Sequence, residues 1–315
     1  MVTELVGIDL GGTKIFGAQV QLDDDGPTVG ADTKRATPTT DAGAIVDAVV
    51  EVVRDLDAAP AAVGIGTPGV IEPGSGVVEY APNLAGFDRP VALADAVADR
   101  LGAPVVIGND VNMAALGEVR VGAARGAADV LAVWMGTGLG AGLIIDGELR
   151  VGPNGLAGEL GHTTVVPDGR VCHCGGRGHL EAYIGRRAME DRARQLHAAG
   201  RTTLLVDLAG DGRMKSKVFA TAYRDGDPVA CELIDEGLEL LAVAVGNVLV
   251  TIDVTTVVIG GGLGERLGAI AVDRLGAGLA RRRYAGVVPA IVPGTLGDHA
   301  GALGAAFHAR SVLAG

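Results

Sequence analysis

The chain has 315 residues, enough for two lobes, and 48% of them are hydrophobic, which makes it globular rather than disordered. A formal charge of −12 offers no basic surface for nucleic acid or an anionic membrane, and three cysteines do not make a secreted disulfide framework. Aromatic residues are only 3%, so the cores must be built from Val, Leu, Ile and Ala, while 51 glycines imply many tight turns and close backbone approaches.

The first residues, MVTELVGIDLGG, lack a basic segment followed by an apolar run and do not read as a signal peptide. Residues 4–10 (ELVGIDL) read as a strand and 15–21 (IFGAQVQ) as its hairpin partner, joined through GGTK. Apolar residues at helical spacing predict a helix over 42–56. A short buried strand is expected over 61–69, a helix stopped by glycine over 91–102, a buried strand over 104–110 and a helix over 113–124. The strand-and-turn pattern restarts over 129–145. A mostly helical stretch follows over about 181–249, then a buried strand over 255–262, a helix from about 264, a strand near 287–293 and a last helix over 300–314. Cys231 falls in the helical stretch and reads as inert core. The most apolar segment, Leu238 to Ile259, is broken by Glu239, Asn247 and Asp253 and does not read as a membrane span. Strands alternating with helices predict an α/β fold.

There is an internal echo. GIDLGGTKIFGAQV (7–20) can be laid over VWMGTGLGAGLII (133–145), with Gly11 opposite Gly136 and Gly17 opposite Gly142. Two related lobes, each presenting a glycine hairpin, would produce it.

The hairpin turns DLGGTK (9–14) and MGTGLG (135–140) expose backbone N–H groups with little side chain in the way, a geometry suited to phosphate oxygens. Thr13 and Thr137 add hydroxyls and Lys14 a charge. Neither turn is a Walker A loop. A third cluster, GGGLGE (260–265), follows a buried strand and precedes a helix, where a nucleotide can lie against backbone. Asp9, just before the first turn, can hold Mg²⁺ or its waters, or simply cap the turn.

GNDVN (108–112) places Asp110 at the carboxyl end of a buried strand, where ligands of open α/β sheets gather. A carboxylate there can take the proton of an attacking hydroxyl; an Asx turn or helix cap is the structural alternative. Asn83, Asn109, Glu159, His162 and Glu181 supply the amides, carboxylates and imidazole that grip a polyol.

VCHCGGRGHLEAY (171–183) holds two of the three cysteines, and His162 lies ten residues before Cys172. Disulfide, metal clamp, redox pair and chance are all open on spacing alone. A Cys172–Cys174 disulfide would close a strained ring in a reducing cytosol. His173 points away if its flanking cysteines both point inward.

Taken in order, DLGGTK, PNL, GNDVN, GTGLG, AGELGH, CxCGxxGxLE and the glycine cluster resemble the ROK family of sugar kinases and repressors over essentially the whole chain. The resemblance implies an actin-like (RNase H-like) ATPase fold in two lobes with the active site in a cleft. Residues 1–112 plus 300–315 would form the small lobe and 113–299 the large one. It implies ATP- and Mg²⁺-dependent phosphorylation of a hexose 6-hydroxyl, glucose first, with an N-acetylglucosamine or N-acetylmannosamine kinase as alternative. It further implies Asp110 as catalytic base, and Gly69, Asn83, Asn109, Glu159, His162 and Glu181 around the sugar. Asp9, Gly11, Gly12, Thr13, Lys14, Gly136, Thr137, Gly138, Gly260, Gly261 and Gly262 would serve the nucleotide. Zinc-bearing members use one His and three Cys; here His162, Cys172 and Cys174 match and His179 stands at the third cysteine, giving a Cys₂His₂ set for a structural Zn²⁺. Family repressors carry a helix-turn-helix before the first phosphate loop; here that loop begins near residue 9, so a sugar-sensing regulator is disfavoured. A cytoplasmic homodimer, without nucleic-acid or membrane partners, is expected.

Overall fold

A computed structural model describes residues 3–23, 26–56 and 59–313. Residues 1, 2, 314 and 315, at the ends of the expected small lobe, lie outside the described residues. The chain opens with strands β1 (Thr3–Leu10), β2 (Lys14–Asp23) and β3 (Gly26–Ala36), helix α1 (Ala42–Asp55) and strand β4 (Ala62–Thr67). Short strands β5 (Val70–Ile71) and β6 (Val78–Tyr80), helix α2 (Leu93–Leu101), strand β7 (Val105–Asn109) and helix α3 (Asp110–Val121) follow. Next come strands β8 (Val130–Met135), β9 (Leu139–Ile145) and β10 (Glu148–Arg150). Helices α4 (Glu181–Ile184), α5 (Arg186–Ala198), α6 (Leu204–Ala209), α7 (Ser216–Arg224) and α8 (Pro228–Ile252) lead to strand β11 (Thr256–Gly260). Helices α9 (Gly261–Leu267) and α10 (Ala269–Ala280), strand β12 (Ala290–Pro293) and helix α11 (Ala300–Ala309) complete the order.

The chain divides into two compact units, Met1–Gly126 with Gly142–Ala157 and Asp298–Gly315, and Ala127–Ala141 with Gly158–Gly297. Helix α3 belongs to the first.

The first sheet runs β3-β2-β1-β4-β7. Its β1–β2–β3 ribbon is antiparallel, and β4 and β7 add in parallel beside β1. Strand β4 is buried at every residue, as its unbroken AVGIGT run requires of a parallel strand covered on both faces. Ile8, Leu10, Ile45, Val49, Val52, Ile65, Phe87 and Leu93 share one core with helices α1 and α2. The side chain of Asp41 caps α1 by accepting from Ala44 N at 2.9 Å.

The second sheet runs β10-β9-β8-β11-β12, the same order as the first. Strand β11 lies parallel to both β8 and β12, and β10 is antiparallel to β9. The echo between 7–20 and 133–145 is therefore a repeat of sheet position: β1–β2 and β8–β9 occupy equivalent places. Helix α8, 25 residues long, starts on Pro228 after Asp227, whose carboxylate accepts from Ala230 N at 2.7 Å and from Leu204 N at 2.9 Å. Among the described residues no helix is long and apolar enough to cross a membrane.

Several boundaries differ from expectation. Strand β3 and the β5–β6 hairpin carried no clear sequence signal, because most of β3 is solvent-exposed and β5 and β6 are two and three residues long. The helix expected at 113 begins at Asp110, because the Asn109 side chain caps it. The helix expected from 264 begins at Gly261, inside the glycine cluster. The strand expected near 287 starts at Ala290. Cys231 is half-buried on α8 rather than core.

Candidate active site

In the first unit, Asp9 stands at the penultimate position of β1, beside the Gly11–Lys14 turn, and β7, separated from β1 by β4 in the same sheet, ends with Asn109, just before Asp110. The Asn109 side-chain Oδ1 accepts from Val111 N (3.0 Å) and Asn112 N (3.2 Å), so its oxygen caps α3 and only its amide nitrogen is left for a ligand. Asp110 is the first helical residue. Burial pushes the Asp9 carboxyl up to about 7; the Asp110 charge adds to this, Lys14 opposes it and Asp298 adds further. A buried carboxyl with a second carboxylate close enough to raise it suits a divalent cation.

The turn itself is closed by Gly11 N donating to Lys14 O at 2.9 Å, and Thr37 Oγ1 donates to Gly11 O at 2.6 Å. One of the N–H groups expected to cradle phosphate is thus spent on the turn. Lys14 Nζ lies 2.6 Å from Asp298, so its charge has an acidic partner that the sequence did not reveal. A Cβ on Gly12 would sit 2.9 Å from the Asn83 carbonyl oxygen, so the expected sugar residue and the phosphate turn are in contact. Gly69 has φ +105°, and a Cβ there would meet Tyr80 O at 2.3 Å, so only glycine fits.

In the second unit, Gly136 N donates to Gly138 O at 3.0 Å, closing the second turn as Gly11 closes the first. This turn is held from the side by α4 and α5. Glu181 Oε2 accepts from Leu139 N at 2.9 Å, and a Cβ on Gly138 would fall 2.1 Å from the same oxygen. Arg186 donates to Thr137 Oγ1 at 2.7 Å and to Met214 O at 3.0 Å. The first N–H groups of α5, of Arg186 and Arg187, donate to the carbonyls of Gly136 (3.3 Å) and Thr137 (3.0 Å). The third cluster packs tightly: Gly260 lies against the Trp134 ring and Gly261 against the Met135 backbone, while Gly262 faces Ser216.

The knuckle brings His162, Cys172, Cys174 and His179 together, with one ligand atom from each and all four within 4.8 Å of one another. Cys174 Sγ is 3.2 Å from His179 Nδ1, and the His162 and His179 rings meet edge-on at 5.5 Å. His173 is turned away, its Nε2 3.0 Å from Asp191. All three cysteines are free thiols. A tetrahedral ion with bonds of about 2.0–2.3 Å needs ligand atoms roughly 3.5 Å apart, so the set fits with a small contraction. Burial pushes the Cys172 thiol up to about 11, a cost that a bound cation offsets. Glu181 adjoins the knuckle, its Oε1 3.7 Å from Cys172 Sγ, and Glu159 lies 3.8 Å from His162 Nε2.

Sequence reasoning missed Arg186, Asp298 and the bond from Leu139 to Glu181. Arg186 lies in an arginine-rich helix start, and its role depends on a turn 49 residues away in the chain.

The ROK family profile matches residues 5–312. A glucokinase of Streptomyces coelicolor is 36% identical over 314 residues, covering 97% of each chain. An N-acetyl-D-glucosamine kinase of Photobacterium profundum is 32% identical over 316 residues, covering 96% of this chain and 97% of that one. Among solved structures, a ROK family glucokinase from Streptomyces griseus in complex with glucose and AMPPNP is 36% identical; the match covers 99% of this chain and 100% of that one, with a TM-score of 0.80. The fold is accordingly that of the actin-like ATPases, and with a family match over residues 5–312 this chain belongs to the ROK family.

Proposed function

We propose that the chain is an ATP:hexose 6-phosphotransferase acting first on glucose. The observation that carries this reading is the placement of Asp110 at the start of α3, with Asp9 close enough to feel its charge. Likeness to glucokinases over nearly the full length supports the substrate. Asp110 takes the proton of the 6-hydroxyl as it attacks the γ-phosphoryl group. ATP would supply the phosphoryl group and leave as ADP, and a bound Mg²⁺ would supply charge neutralisation on the phosphates. Asp9 would hold the cation or its waters, and the turns at Gly11–Lys14 and Gly136–Gly138, with Gly260–Gly262, would hold the nucleotide. Asn83, Asn109, Glu159, His162 and Glu181 would grip sugar hydroxyls, with Gly69 beside them. An N-acetylglucosamine kinase is the second reading, supported by the likeness to the Photobacterium enzyme.

The knuckle would hold a structural Zn²⁺. Four protein ligands close the site, so the ion would fix the loop leading to Glu181 and orient His162 rather than act on phosphate. A homodimer in the cytoplasm completes the reading, and light scattering tests the dimer.

The test is ADP release from ATP and Mg²⁺ with glucose, mannose, fructose and the two N-acetylhexosamines, with Asp110→Asn in parallel. We expect glucose to be preferred and the variant to lose about a thousandfold in kcat while still binding sugar. Equal loss of sugar binding would remove Asp110 from the role of base, and a preference for an N-acetylhexosamine would select the second reading.

A further inference from the structure

The Gly136–Leu139 turn is built mostly of residues without functional side chains, so something else must fix its shape. Glu181 accounts for one end, through Leu139 N. The other end is held by Arg186. Its backbone N–H reaches Gly136 O, one guanidinium nitrogen reaches Thr137 Oγ1 at 2.7 Å, and a second reaches Met214 O at 3.0 Å. A planar guanidinium donating in two directions fixes a threonine rotamer in a way that a flexible ammonium does not.

The charge matters as well as the geometry. Arg186 is half-buried, and both that burial and the nearby charge of Arg213 lower its pKa, against the pull of Glu190. A guanidinium stays protonated under such pressure, so the protein keeps an unfavourable pair of like charges beside a glycine turn. Glu190 is shared among Arg194, Arg213 and this field, so it does not neutralise them all. In a chain of net charge −12, positive charge held beside exposed backbone suits a polyphosphate.

We propose that Arg186 is a positioning residue for the nucleotide: it anchors Thr137 and brings a fixed positive charge to the edge of the Gly136–Leu139 turn. The inference rests on the kinase reading for the identity of the ligand. It predicts that nucleotide affinity, not sugar affinity, depends on this side chain.

The experiment compares wild type with Arg186→Ala, Arg186→Lys and Thr137→Val. It measures KM for ATP and for glucose, and calorimetric binding of a non-hydrolysable ATP analogue with Mg²⁺. Arg186→Ala should raise KM for ATP and weaken analogue binding by about tenfold to a hundredfold, the range for a lost charged hydrogen bond. KM for glucose should stay within about twofold. Arg186→Lys should recover part of the loss because it restores charge without the fork. Thr137→Val should cost less than Arg186→Ala. Analogue binding within about twofold of wild type in Arg186→Ala, or an equal rise in both KM values, overturns the inference. If Arg186→Ala does not fold, unchanged nucleotide binding in both Arg186→Lys and Thr137→Val overturns it instead. Wild type that binds the analogue without sugar-dependent turnover would sink the kinase reading and leave the role of Arg186 to the binding data.

Discussion

The β1–β2 and β8–β9 hairpins occupy the same place in two sheets of the same strand order, yet they are equipped differently. In both, a glycine N–H closes the turn, from Gly11 to Lys14 in one and from Gly136 to Gly138 in the other. At the penultimate position of the first strand the former has Asp9, within the field of Asp110, and the latter has Trp134, packed on Gly260. The first turn is surrounded by ionisable groups that interact with one another: Asp9, Lys14, Asp298 and Asp110. The second is clamped from one side by Glu181 and Arg186. A duplicated backbone thus supplies two equivalent turns, and the side chains around each decide its chemistry. On the function proposed above, the first turn would serve a cation and the second would hold the nucleotide against a rigid loop.

The sharpest test of this contrast exchanges the two strand-end residues for close isosteres. Asp9→Asn should lower kcat by about a hundredfold or more, because it removes charge where a cation is needed. Trp134→Phe should change kcat by no more than about threefold, since its ring only packs. Equal losses would mean that the hairpins share one role.

Metal removal should act on the second unit with a smaller effect. Elemental analysis of purified protein should find about one zinc per chain, and a strong chelator or Cys174→Ser should lower the melting temperature by roughly 5–10 °C. Cys231→Ser should leave both values unchanged, because Cys231 lies outside the knuckle. Zinc-free protein with an undiminished melting temperature would show that the knuckle is held by packing alone.

The smallest effect is a pH dependence of the first hairpin. The folded Asp9 carboxyl is pushed up to about 7, far above its unfolded value of 3.8. Between those values the folded state binds the extra proton, so this group lowers ligand-free stability as pH rises from about 4 to 7, after which the cost is constant. Asp9→Asn should flatten that slope and raise the melting temperature at pH 8 by a few degrees. Mg²⁺, by favouring the charged form, should do the same in wild type. A slope that persists unchanged in Asp9→Asn would locate it elsewhere.

Much of the first unit was legible because its strands and helices follow hydrophobic period. ELVGIDL, AAVGIGTPG and PVVIGND are short apolar runs ending in turn residues, and each became a strand with its polar residue at the carboxyl end. Strand β3 was not legible, since an exposed strand of mixed polarity is made by pairing with β2 rather than by its own pattern. The four side chains of the knuckle were named through the resemblance to a family rather than by spacing, and the structure brings them together. His173 does turn away, toward Asp191, but the reason is not the expected alternation of an extended chain: residues 172–175 form a turn closed by Gly175 N donating to Cys172 O at 2.9 Å.

The α/β class and the repeated hairpin follow from the amino-acid sequence, because each is written in local period, while the roles of the acidic side chains and of the Cys/His set came from the resemblance to a family. Which partner each side chain takes was settled by the packing of the folded chain. Asn109 went to a helix cap, Lys14 to Asp298, Glu181 to Leu139 N and Arg186 to Thr137. The last three link residues 42 or more positions apart in the chain, and no local preference selects one partner over another at that separation. The packing of helices α4, α5 and α11 brings those groups within hydrogen-bonding reach, and that packing is a property of the folded units rather than of any segment within them.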